Sequence, residues 1–129
     1  MPKFKFNKLV RDKIAENQIA SGAKPHYRVL SDKQHKFELV NKIIEEAQEI
    51  TKANQNDVAA EIADVQQAVD DLKEKLGLTG ADIAKAQKAK NKKNGPFKKG
   101  IYIDYVEIDE TDKWTEYYRK NADRYPEIK

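Results

Sequence analysis

Glu45, Glu46 and Glu49 form the string E-E-x-x-E, and after eleven intervening residues Glu61 and Asp64 form E-x-x-D. On a helix, residues three apart project from neighbouring turns of one face, so each string presents paired carboxylates. Several carboxylates held a few ångströms apart in a partly dry place do not all stay ionised unless cations neutralise them. Hard oxygen donors in that number suit Mg²⁺, or Mn²⁺ in its place, which keep bound waters and take further ligands from substrate phosphates. The competing reading is an ordinary charged helix surface, with Lys42 bridging to Glu46 and Lys52 to Glu49 at i,i+4 and i,i+3 spacing. That accounts for the first string but not the second. Glu61 and Asp64 have no Lys or Arg three or four positions away, and the stretch from Ala53 to Leu72 holds five acids and no Lys or Arg. The pattern by itself leaves both readings open.

The elements that must position these acids follow from hydrophobic spacing. From Ser31 or Asp32, either of which can cap a first turn, Phe37, Val40, Ile43, Ile44, Ala47 and Ile50 recur at helical intervals to about Ala53. Asn54-Gln55-Asn56 supplies a turn. Asp57 or Asn56 then opens a second helix with Val58, Ile62, Val65, Val69, Leu72 and Leu76, stopped by Gly77. Two helices joined by a short turn run antiparallel. At about 100° per residue, Glu46 lies beside the first apolar stripe and Glu49 one step further out, while Glu61 and Asp64 flank the second stripe.

Around this pair the sequence predicts a short helix over Asn7–Ser21 bearing Lys8, Arg11, Asp12 and Lys13, and a third helix from near Thr79 until Asn94-Gly95-Pro96 breaks it. A last helix, from Thr111 to about Arg124, would pack by Trp114, Tyr117, Tyr118 and Tyr125. Residues 26–30 and 101–107 read as short strands or extended segments. The expectation is a mainly all-α helical bundle in one domain, with a core from about residue 7 to 106 and a tail over 109–129.

The chain has 129 residues, 36% of them charged, and a net charge of +3. It has no cysteine, which excludes disulfides, a thiol nucleophile and thiolate metal ligands. Its start lacks the apolar stretch and small-residue cleavage site of a secretory signal, so a cytoplasmic location without membrane attachment is expected. Charge is segregated. Against the acidic stretch stands Ile83 to Ile103, with seven lysines and no acid. Such a block suggests a polyanionic partner. His26 and His35 lack a metal-ligand spacing. Tyr27, Phe97, Tyr102 and Trp114 are the aromatic residues that could stack on a base, with core packing as the alternative.

The two acidic strings in this order resemble the signature of the all-α nucleoside triphosphate pyrophosphohydrolase superfamily, the MazG-like group. Asn7-Lys8-Leu9-Val10-Arg11-Asp12-Lys13-Ile14 and Lys92-Lys93-Asn94-Gly95-Pro96-Phe97-Lys98-Lys99-Gly100-Ile101 are similar to stretches of its phosphoribosyl-ATP pyrophosphohydrolase-like members. The chain departs from them at Asn94-Gly95-Pro96-Phe97, where Arg-Gly-Gly-Phe is usual, and at Ala15, where proline is common. The resemblance implies Mg²⁺-dependent hydrolysis of the α–β anhydride of a canonical or non-canonical nucleoside triphosphate, giving a monophosphate and pyrophosphate. It implies metal ligation by Glu46, Glu49, Glu61 and Asp64. Glu45, Glu46 and Glu49 would be catalytic, Glu45 by positioning or deprotonating the attacking water. Lys8, Arg11, Lys13, Lys88, Lys92, Lys93 and Lys99 would be the candidates for holding the polyphosphate, because a triphosphate needs counter-charge beyond the metal. A homodimer or homotetramer is also implied. The competing readings are a nucleic-acid-binding surface on the Lys85–Lys99 block and a catalytically silent, nucleotide-binding regulator.

Overall fold

Ser31 stops the preceding chain in an extended conformation, and its Oγ accepts the backbone N–H of Gln34 at 3.3 Å, the bond that an N-cap serine supplies. The helix so started, α2, runs Asp32–Lys52. It is one of five in the computed structural model, which describes residues 1–129 and contains α1 (Ile14–Ala20), α3 (Val58–Lys75), α4 (Gly80–Asn94) and α5 (Lys113–Lys120) as well, and no strand. The chain divides into two compact units, Met1–Lys92 and Lys93–Lys129.

In the first unit α2 and α3 pack on each other. The turn between them is closed by Asn54, whose Oδ1 accepts the N–H groups of Asn56 and Asp57 at 3.0 and 3.1 Å. Asp57 occupies the N-cap position with near-helical backbone angles (φ −102°, ψ −13°) and makes no side-chain cap bond. At the far end, Asp32, the first residue of α2, pairs with Lys75, the last of α3, at 2.6 Å. Contacts of first with last residues make a helical hairpin.

Leu39 and Ala68 are its buried apolar residues, and Ile43, Ile50, Val58, Val65 and Leu72 are half-buried. Burying a leucine side chain stabilises by about 1.5–3 kcal/mol, so this thin seam is a modest core. The stripes are wider than one partner helix covers. Phe37, Val40 and Ile44 on α2 remain 65%, 45% and 52% exposed, and Ile62 on α3 and Leu76 just after it 50% and 51%.

The helix expected over Asn7–Ser21 is shorter. Residues 7–13 are not helical, Asn7 has φ 45°, and α1 begins at Ile14 without a side-chain cap. Lys8, Arg11, Asp12 and Lys13 therefore precede α1 rather than ride on it. Lys8 and Arg11 are instead drawn onto acids of the hairpin, at Glu45 and Asp64. Gly22, at φ 92°, follows the helix as expected.

At α4, Asp82 Oδ2 accepts the N–H of Thr79 at 2.8 Å and Thr79 Oγ1 accepts the N–H of Asp82 at 3.1 Å, a reciprocal cap. The Thr79 N–H and, at 2.9 Å, the Thr79 hydroxyl both donate to Asp82 Oδ2 and hold its carboxyl below its ordinary pKa. Alanine, lysine and glutamine favour the helix intrinsically, and α4 is exposed along its whole length.

In the second unit Asp112 opens α5 by accepting the Trp114 N–H at 2.8 Å. The helix ends at Lys120 rather than near Arg124: Asn121 leaves helical backbone at φ −116° and ψ 45°, and its side-chain amide also donates to the Tyr117 carbonyl at 2.9 Å. Trp114, Tyr117, Tyr118 and Tyr125 gather in one aromatic cluster, the aromatic side expected of this helix. Arg119 grips Glu110 with two bonds of 2.7 Å and Glu127 at 3.0 Å. Neither residues 26–30 nor 101–107 form a strand. No neighbouring edge takes up their backbone groups, and residues 101–107 are exposed to water.

Candidate metal centre

Glu46 projects from the fourth turn of α2, and Glu61 and Asp64 from the first two turns of α3. The hairpin brings these three carboxylates together, with one oxygen of each within 4.8 Å of the others. All three are partly buried, and Glu46 is the most enclosed, with 13% of its side chain exposed. Glu49 stays outside this group. It lies one turn along α2 and pairs with Lys52 at 3.8 Å. Glu49 and Glu61 border an open cleft of about 360 Å³ at the hairpin turn, which Lys52, Asn54 and Asp57 also line.

Cations reach most of these acids. Lys42 Nζ lies 3.3 Å from both Glu45 and Glu46, and Lys8 approaches Glu45 at 3.3 Å. Arg11 Nη2 meets Asp64 Oδ1 at 2.6 Å. Burial opposes ionisation of Glu45, but Lys8 and Lys42 outweigh it and hold the carboxyl below its ordinary pKa. Glu61 has the opposite environment. Burial, then the charges of Asp64, Glu46 and Glu49, and a hydrogen bond shared with Glu46, push its carboxyl above the ordinary value. It is the one member of the two acidic strings without an ion-pair partner.

No protein family, curated protein or solved structure matches this chain.

The donor set fits a hard divalent cation. It consists only of carboxylate oxygens, one of them surrounded by negative charge, beside a cleft open to solvent. The sequence read the surroundings of Glu61 and Asp64 as free of cations, and for Asp64 the fold corrects this through Arg11, 53 positions away. The one signal for that pair was the i,i+3 placement of Lys8 and Arg11, which reach Glu45 and Asp64 from one short segment. Among the other basic candidates, Lys13, Lys88, Lys92, Lys93 and Lys99 are exposed and make no ion pair. Tyr27, Phe97, Tyr102 and Trp114 are not core residues: they are 69%, 102%, 87% and 46% exposed.

Proposed function

We propose that the protein is a Mg²⁺-dependent nucleoside triphosphate pyrophosphohydrolase. The observation that carries this reading is the meeting of Glu46, Glu61 and Asp64 with Glu61 left without a counter-ion. Glu46, Glu61 and Asp64 would hold the ion, and Glu49, one turn along α2 and outside their group, would reach it through water. An ion held there would supply counter-charge to the phosphates and would lower the pKa of a nearby water. Glu46 and Asp64 would orient the attacking water by accepting its hydrogen bonds. Its oxygen forms a bond to phosphorus in the α–β anhydride and the bond to the bridging oxygen breaks. The bridging oxygen leaves with the electron pair, the water's proton passes to a carboxylate, and nucleoside monophosphate and pyrophosphate depart. Glu45, occupied by Lys8 and Lys42, suits anchoring the N-terminal segment better than deprotonating water.

The exposed apolar residues of α2 and α3 support a homo-oligomer, in which a second copy covers Phe37, Val40, Ile44 and Ile62. A second reading rests on α4: its five lysines (Lys85, Lys88, Lys90, Lys92 and Lys93) are exposed and unpaired, as a nucleic-acid backbone would require. One assay separates the two. The protein is incubated with canonical and modified triphosphates and Mg²⁺, pyrophosphate release is measured, and the series is repeated with Glu46→Gln. Release that needs Mg²⁺ and Glu46 supports the enzyme. No release from any triphosphate, with salt-sensitive nucleic-acid binding unaffected by Glu46→Gln, supports the α4 reading instead.

A further inference from the structure

Arg11 and Lys8 come from one non-helical segment and land on opposite members of the hairpin, Lys8 on Glu45 of α2 and Arg11 on Asp64 of α3. Of the three carboxylates that meet in the candidate centre, Asp64 is the one held by a cation from a distant part of the chain. The guanidinium makes a single contact, through Nη2 at 2.6 Å, and its side chain is 58% exposed. A guanidinium carries five N–H donors arranged to grip two oxygens of a phosphate at once, so Arg11 is engaged here through a small part of its capacity. Mg²⁺ or Mn²⁺ on Asp64 would stand within a few ångströms of the Arg11 charge, and two cations on one carboxylate repel.

We propose that Arg11 is an exchangeable counter-ion: it neutralises Asp64 in the metal-free protein and, when a divalent cation takes that carboxylate, turns to the polyphosphate that the cation brings. This rests on the pyrophosphohydrolase reading and adds an order of events to it. Lys8 on Glu45 keeps the segment docked through the exchange, so Arg11 remains three residues from an anchored position. The coupling is reciprocal: whatever the Arg11–Asp64 pair contributes is subtracted from metal binding. An ion pair this exposed contributes little, which sets the competition at about two- to fivefold in affinity.

The test uses the full chain as wild type, Arg11→Gln, Arg11→Lys and Glu46→Gln. Mn²⁺ affinity is measured by electron paramagnetic resonance without nucleotide, and then inorganic tripolyphosphate affinity by calorimetry with Mn²⁺ saturating. The expected result is that Arg11→Gln binds Mn²⁺ alone about two- to fivefold more tightly and tripolyphosphate about tenfold more weakly, the loss of a charge-assisted bidentate contact. Arg11→Lys keeps Mn²⁺ affinity near wild type, because the competing charge is retained, yet loses part of the tripolyphosphate affinity. A residue that merely stabilised the fold would weaken both ligands together. Unchanged or weakened Mn²⁺ binding in Arg11→Gln overturns the exchange. Mn²⁺ binding to wild type that Glu46→Gln does not diminish sinks the metal centre itself, and the exchange with it.

Discussion

Lys42 is the cation most closely built into the acidic face of the hairpin, and replacing it by methionine tests whether that face is a cation site. Its Nζ lies 3.3 Å from both Glu45 and Glu46, with 18% of the lysine side chain and 13% of the Glu46 side chain exposed. Glu45, Glu46, Glu49, Glu61 and Asp64 are offset by Lys8, Arg11, Lys42 and Lys52, so the variant leaves five carboxylates with three cations. Exposed ion pairs are worth about 0.2–1 kcal/mol, and stripping one partner from a buried pair costs about 3–5 kcal/mol. An environment between these limits sets the loss at about 1–3 kcal/mol without divalent cation. At about 4 °C per kcal/mol for a chain of this size, the melting temperature falls by about 4–12 °C. A cation that binds only the folded state adds about 2.7 kcal/mol at a hundred times its Kd, and with Lys42 no longer competing for Glu46 it binds the variant site about tenfold more tightly, which returns about 1.4 kcal/mol of the deficit. Thermal unfolding is therefore followed in MgCl2 and in KCl of matched ionic strength. The deficit of Lys42→Met is expected to shrink by more than half in MgCl2. An equal deficit in the two salts would refute the reasoning, because the acids would then form a screened helical surface and not a divalent site.

Further outcomes follow from the same geometry. The Glu61 carboxyl is raised in the folded state, so its contribution to stability is present below the ordinary glutamate pKa and is lost as pH rises through the raised value. Without Mg²⁺, Glu61→Gln should therefore gain on wild type as pH rises from acid toward neutral, and a pH series of melting temperatures that shows the two running parallel contradicts this environment. Leu39→Ala removes the most buried side chain of the hairpin and should cost about 2–4 kcal/mol in urea unfolding, near the lower end for leucine truncation because the seam is thin. Ser31→Ala removes the cap bond to Gln34 and should cost about 1 kcal/mol in the same assay. Ile44→Asp places a charge on the uncovered face of α2, and light scattering coupled to size exclusion should show a smaller assembly than wild type; an unchanged mass assigns that face another role.

What the sequence determined by itself is what depends on short range. Apolar residues at helical spacing, a capping serine and a turn-forming asparagine are local instructions, and they placed α2, the 53–57 turn and α3 where the structure has them. The all-helical class and the nearness of Glu46 to Glu61 and Asp64 follow, because a hairpin with so short a turn leaves its facing residues few alternatives. Where one residue's backbone decided an ending, the periodic pattern overran: α5 stops at Lys120 because Asn121 leaves the helical region, at φ −116° and ψ 45°.

Tertiary structure alone decided the rest. Residues 7–13 look amphipathic in isolation, yet ion pairs to Glu45 and Asp64 accompany a non-helical path, and no local rule contains partners 37 and 53 positions away. Equally, five acids along the two strings look alike in sequence, and only packing separates them. Glu45 is held ionised by two lysines, Glu49 stands aside with Lys52, and Glu61 is left among carboxylates with no cation. Charge interactions fall off with distance and depend on burial, so which of several identical side chains carries the unbalanced charge is fixed by where the folded chain puts its neighbours.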